Sequence, residues 1–170
     1  MKCILVATDF SIRSNNALAL AKTIATHSKG EITLLHVVEL PKQFHSSTGD
    51  ALNTDQMANL YRLKLIERSG EELEKIKEAH SGDGVVIHTE IKSGDPYREI
   101  SAFVSANDID LVISGDKGHS EFEDLFIGSL SDKLVRMMDC PVITVKAGIV
   151  DQSISNIMFV VNAELDEEPI

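Results

Sequence analysis

An open, doubly wound α/β domain, built on a five-stranded parallel sheet with helices on both faces, is what this sequence predicts, and three observations predict it. Five short apolar stretches rich in β-branched residues recur along the chain. Most are apolar nearly throughout instead of alternating, as strands are when both faces of their sheet are covered. Helical patterns of about ten residues or more stand between them, and strand–helix–strand alternation of that kind builds right-handed crossovers within one sheet.

The first strand is read at Cys3–Ala7. Ser11 and Ser14 follow as caps of a helix whose Ala17, Leu18, Ala21, Ile24 and Ala25 share a face, and Gly30 supplies its stop. The second strand is Ile32–Val38. Leu40–Thr54, with Pro41, Gly49 and several Ser, Thr and His residues, reads as a long surface loop, a functional lid or a simple connection. A long helix marked by Leu60, Leu63, Ile66, Leu73 and Ile76 then runs to about Gly82, and its Glu71, Glu72, Lys75, Lys77 and Glu78 form a solvated face with charge pairs four residues apart. The third strand is Val85–Ile91. Asp95 as N-cap and Pro96 at the first helical position open the third helix, which turns Tyr97, Ile100, Phe103 and Val104 one way. Leu111–Ser114 is the fourth strand, Leu130, Leu134 and Met137 mark the fourth helix, and Val142–Val145 is the fifth strand.

The chain has 170 residues, enough for one ordinary domain with a short addition. Residues 1–147 form that domain. Residues 148–170 read as a linker and an extra strand, since Asn156–Asn162 looks like a second copy of the segment that opens at Lys2, with Asn162 matching Asp9. That strand is either an addition to a sheet edge, on this chain or a partner, or the start of a second, truncated domain; a chance similarity of so short a segment is the plainer alternative. Sixteen Lys and Arg against 27 Asp and Glu leave a net charge of −11, which disfavours nucleic acid and anionic membrane surfaces as partners. No apolar run approaches the ~20 residues of a membrane helix, and no secretory cleavage pattern follows Met1-Lys2, so a cytoplasmic protein is expected. Cys3 and Cys140 border strands and are expected as reduced core thiols. The six histidines, His27, His36, His45, His80, His88 and His119, show no metal-ligand spacing, so no metal site of the protein's own is expected.

Ligands of open α/β sheets sit beyond the carboxyl ends of the strands, where strand order reverses. Asp9 follows the first strand. Gly115-Asp-Lys-Gly118 follows the fourth, and Gly128-Ser129-Leu130 opens the next helix. Glycines let a backbone approach a ligand closely, and a helix N-terminus with free N–H groups suits a phosphate. Each feature also has a plainer reading: the glycines as a turn, and Ser129 as a cap completed by Asp132. Neither the P-loop pattern nor a glycine cluster after the first strand is present.

Together, Gly115, Gly118, Gly128 and Ser129 meet G-x2-G-x9-G-[ST] without a gap, and with Ile4–Ser11 and Leu34–Val38 they resemble the universal stress protein family over residues 2–146. The resemblance implies the sheet order 3-2-1-4-5, similar to that of the adenine nucleotide alpha hydrolases, and an ATP site served by a divalent cation, Mg²⁺. It implies that Asp9 contacts the ribose, that the Val37 backbone recognises adenine and that Ala7 packs at the adenine edge. Gly115 would approach the ribose or first phosphate, while Gly118, Gly128, Ser129 and Leu130 would hold the phosphate chain. Glu121, Glu123 and Asp124 depart from the small or basic residues usual between the glycines, and Lys117 and His119 offset them in part. The functional expectation is an ATP-binding module in stress response or signalling with no catalytic residues and at most slow ATP hydrolysis; the alternative is a dimerisation module that binds no nucleotide. A homodimer is expected through the edge strand Val142–Val145 and the C-terminal segment.

Overall fold

In the computed structural model, which describes residues 2–39, 51–80, 84–116 and 130–146, the apolar runs form β1 (Cys3–Ala7), β2 (Glu31–Val38), β3 (Ile87–Ser93), β4 (Leu111–Gly115) and β5 (Val142–Val145). The connecting helices are α1 (Ile12–Ser28), α2 (Ala51–His80), α3 (Pro96–Ala106) and α4 (Leu130–Met137). All pairings are parallel, in the order β3-β2-β1-β4-β5. From β1 the chain winds outward through β2 to β3, then returns to the other side for β4 and β5. Right-handed crossovers therefore put α1 and α2 on one face and α3 and α4 on the other.

Each face has its own core, and β1 feeds both. Ile4 and Val6 pack with Ala17, Leu18 and Ala21 of α1 and Leu73 of α2, whereas Leu5 and Ala7 pack with Ile100 and Val104 of α3 and Leu134 of α4. Successive strand residues point to opposite faces, so a central strand must be apolar at every position. At the amino edge of the sheet, the Asp110 carboxylate accepts hydrogen bonds from the N–H groups of Lys2 (2.6 Å) and Cys3 (3.0 Å). The Cys3 and Lys2 amides hold this carboxyl below its ordinary pKa of 3.8.

Helix ends follow local chemistry. Ser11 caps α1 by accepting from the Ser14 N–H, and Asp95 caps α3 by accepting from the Arg98 N–H at 3.0 Å, with Pro96 in the first turn. The left-handed residue that ends α1 is Lys29 (φ 54°), not Gly30, whose N–H donates to the Ala25 carbonyl.

Several expected boundaries and faces shift. The β3 ladder runs on to Lys92 and Ser93, opposite Val37 and Val38, instead of ending at Ile91. As an edge strand it is paired on one side, so its apolar content does not mark its end. The segment expected as a loop to Thr54 is already helical at Ala51. With 30 residues, α2 is about 45 Å long, while the eight-residue β2 spans roughly 26 Å. The excess leaves Leu60 and Leu63, two of the residues that mark the helix in sequence, 58% and 59% exposed, while Leu73 and Ile76 pack on the sheet. Its charge pairs, Lys75–Glu72 (2.9 Å) and Lys77–Glu74 (3.1 Å), are three residues apart, not four. On α4 Leu134 is buried but Met137 is exposed, and Met138 packs in its place. No helix among the described residues is long and apolar enough to cross a membrane. The proposed linker and extra strand of 148–170 lie outside the described residues.

Candidate functional site

At the reversal of strand order, β1 and β4 are neighbours whose following segments depart to opposite faces, and their carboxyl ends open a cavity of about 360 Å³. Its floor is the ends of β1, β2 and β4. The walls come from Leu65 and Ser69 of α2, Pro96 and Ile100 of α3, and Leu130 and Ser131 of α4.

The β1 end is held by a chain of hydrogen bonds. Thr8 Oγ1 accepts from the Phe10 N–H (3.1 Å) and donates to Ser14 Oγ (3.1 Å), which in turn donates to the Ser11 carbonyl (2.9 Å). Ser14, expected as a cap, is thus a buried residue of the first turn whose side chain joins α1 to β1. Phe10 adopts φ 64°, a left-handed conformation that is costly for an aromatic residue, and lies against the His36 ring at a centroid distance of 4.4 Å. His36 Nδ1–H donates to the Thr8 carbonyl at 2.8 Å, completing the clamp. Asp9 stands exposed between these anchors, and its Oδ1 accepts from the Ser11 N–H at 3.1 Å.

At the β4 end, a Cβ on Gly115 would lie 2.8 Å from the Arg13 carbonyl carbon and 2.8 Å from the Ser14 nitrogen. The start of α1 therefore rests directly on this glycine, a packing role beyond the ligand approach that the sequence suggests. The Gly115 carbonyl accepts from Ser131 Oγ (3.0 Å) and Ser114 Oγ (3.3 Å), which tethers the start of α4 to β4.

Ala7, Asp9, Val37, Gly115 and Leu130 all line the cavity. Gly118, Gly128 and Ser129, together with the acidic stretch containing Glu121, Glu123 and Asp124, lie outside the described residues. The sequence reading missed the hydroxyls. Thr8, Ser14, Ser69, Ser114 and Ser131 are the buried polar residues among the described ones, and every one lines this cavity. A serine inside an apolar helix stripe, as Ser69 is between Leu65 and Leu73, was the available signal.

Asp9 and Glu39 line the cavity, whereas no lysine or arginine does so among the described residues. Arg13 is nearby, its Nη1 donating to the Asp116 carbonyl at 3.4 Å. No group of three or more His, Cys, Asp or Glu residues capable of holding a metal occurs among the described residues. Cys3 and Cys140 are free thiols packed against the second core, and burial pushes the Cys140 thiol pKa up.

Comparison with known proteins agrees with this architecture. The model of the universal stress protein family matches residues 1–146. Universal stress protein MJ0531 of Methanocaldococcus jannaschii is 31% identical over 145 residues, covering 85% of this chain and 82% of its own. Universal stress protein YxiE of Bacillus subtilis is 29% identical over 143 residues, covering 84% and 97%. The solved structure of MJ0577, also from M. jannaschii, superposes with a TM-score of 0.71 at 27% identity, over 85% of this chain and 95% of that one. A universal stress protein solved in complex with cAMP superposes with a TM-score of 0.57 at 24% identity, over 85% and 96%.

Proposed function

This chain belongs to the universal stress protein family, and from that premise we propose that it is an ATP-binding module acting in stress response or signalling. The observation that carries the reading is a coincidence of place. The signature that begins at Gly115 leaves β4 at the mouth of the cavity that Ala7, Asp9, Val37 and Leu130 also line. In this reading adenine lies over the β2 end beside Val37 and Ala7, and the ribose meets Asp9. The phosphates run from Gly115 toward the backbone amides of Gly118, Gly128, Ser129 and Leu130, where a helix start favours negative charge.

The lining carboxylates make a bare triphosphate a poor fit, so a divalent cation belongs to the proposal. With no metal cage among the described residues, the ion would arrive on the phosphates, and Asp9 and Glu39 are the lining carboxylates among those residues that could add an oxygen. ATP occupancy acts as a signal here, with at most slow hydrolysis. The assembly belonging to this reading is a cytoplasmic homodimer paired through β5 and the C-terminal segment, since among the described residues β5 ends the sheet order with one side unpaired.

A thermal-shift titration with ATP, with and without Mg²⁺, tests the reading. Ligand that binds the native state alone stabilises it by RT ln(1 + [L]/Kd). A rise with Mg-ATP that disappears in Gly118→Val and Gly128→Val, both still folded by circular dichroism, is expected. Absence of any shift at millimolar Mg-ATP would favour the dimerisation module that binds no nucleotide.

A further inference from the structure

We propose that Ser69 on α2 is a base-contacting residue of the nucleotide site, one that sets its selectivity through a hydrogen bond to the edge of adenine. The inference rests on the nucleotide reading above. Its starting point is a hydroxyl that has nothing to do in the protein by itself. Ser69 is 7% exposed and lines the cavity. The other four buried hydroxyls are engaged: Thr8 with Phe10 and Ser14, Ser14 with Ser11, and Ser114 and Ser131 with the Gly115 carbonyl. Ser69 makes no hydrogen bond to any described residue, and its oxygen is not sealed off as the unpartnered Ser28 Oγ at the end of α1 is, so it stays reachable from the cavity.

Helical hydroxyls normally donate to the carbonyl four residues earlier, as Thr23, Thr26 and Ser105 do here. Ser69 does not use that outlet, so its hydroxyl is left to water or to whatever displaces water from the cavity.

Position decides what enters. α2 packs on β2 and β3, so Ser69 and Leu65 overhang the β2 end, two strands away from β4 and Gly115. Phosphate belongs at the β4 side, from which the signature departs at Gly115. At the β2 side Leu35, Val37, Val38 and Leu65, with Pro96 and Ile100 from α3, give apolar surface, and His36, Glu39 and Ser69 are the polar residues beside it. A flat heteroaromatic base suits such a slot, and a hydroxyl that both donates and accepts can meet a ring nitrogen or an exocyclic amine.

The test is calorimetric titration of the full chain and Ser69→Ala with Mg-ATP, Mg-GTP and inorganic tripolyphosphate, alongside the melting temperature of each free protein. Ser69→Ala should bind ATP about fivefold more weakly, the worth of one ordinary hydrogen bond. Its preference for ATP over GTP should narrow, its tripolyphosphate affinity should be unchanged, and its melting temperature should stay level or rise, since no bond within the chain is lost. ATP affinity equal to that of the unsubstituted chain would overturn the assignment while leaving the nucleotide reading intact. Equal weakening toward ATP and tripolyphosphate, or a fall in melting temperature, would overturn it in favour of a structural role. An unsubstituted chain that binds no ATP would remove the nucleotide reading and this inference with it.

Discussion

Replacing Gly115 with alanine should destabilise the protein in the absence of any nucleotide. The added methyl carbon would sit 2.8 Å from the Arg13 carbonyl carbon, 2.8 Å from the Ser14 nitrogen and 2.9 Å from the Arg13 Cβ. Nonbonded carbons settle at about 3.5–4.0 Å, so the intrusion is roughly 0.6 Å or more, on three atoms at once. Two of these are backbone atoms, which cannot turn aside as a side-chain tip would. Relief requires the first turn of α1 to move, and that turn is held by the Ser11 cap, the Thr8–Ser14–Ser11 hydrogen bonds and the Phe10–His36 contact. Overpacking at rigid sites costs about 1–3 kcal/mol, and the confinement here argues for the upper half, about 2–3 kcal/mol. For a chain of this length that is a fall in melting temperature of roughly 5–10 °C. Urea denaturation followed by circular dichroism, without nucleotide, measures it. A change below about 0.5 kcal/mol would refute the packing argument and return Gly115 to the ligand alone.

Gly70→Ala should act in the opposite direction, gaining about 0.5–1 kcal/mol in the same assay, because Gly70 lies inside α2 and its added carbon would meet Ile91 Cδ1 at an ordinary 3.6 Å. Asp110→Asn should lower stability at neutral pH, and the gap should close on acidification. The folded-state pKa of Asp110 lies below its ordinary 3.8, so its contribution is present above that value and is lost as pH falls through the folded one; a gap that stays constant from pH 7 down to pH 3 would contradict this.

The fold was legible because a parallel sheet with both faces covered writes itself into composition. β1, β4 and β5 fall within a residue of the apolar runs that announced them, and the Asp95-Pro96 pair marks the start of α3. Misreadings cluster where one side of an element is free of neighbours. β3 lies at a sheet edge, and the first half of α2 extends past the strands it would cover. Leu60 and Leu63 satisfy a helical period there with no sheet beneath them. Periodicity reports a stripe of apolar residues; whether the stripe is covered depends on lengths that only the assembled layers reveal.

The site was legible to the extent that its parts are backbone. Asp9 and Gly115 follow strands whose adjacency the sheet order implies, and both come to the cavity with Val37 and Ala7. The hydroxyls were hidden because a serine's role depends on the partner it finds. Ser14 and Ser11 look interchangeable in sequence, yet one caps α1 and the other ties it to Thr8. Ser131 reaches back sixteen residues to the Gly115 carbonyl. The five buried polar residues Thr8, Ser14, Ser69, Ser114 and Ser131 are gathered at this opening, while the two cores are apolar. A buried polar group needs a partner, and chain reversals at strand ends leave backbone groups that need one too. The polarity of the cavity thus follows first from how the sheet is wound, and Ser69, on a helix wall and not at a strand end, is the hydroxyl that this requirement does not explain.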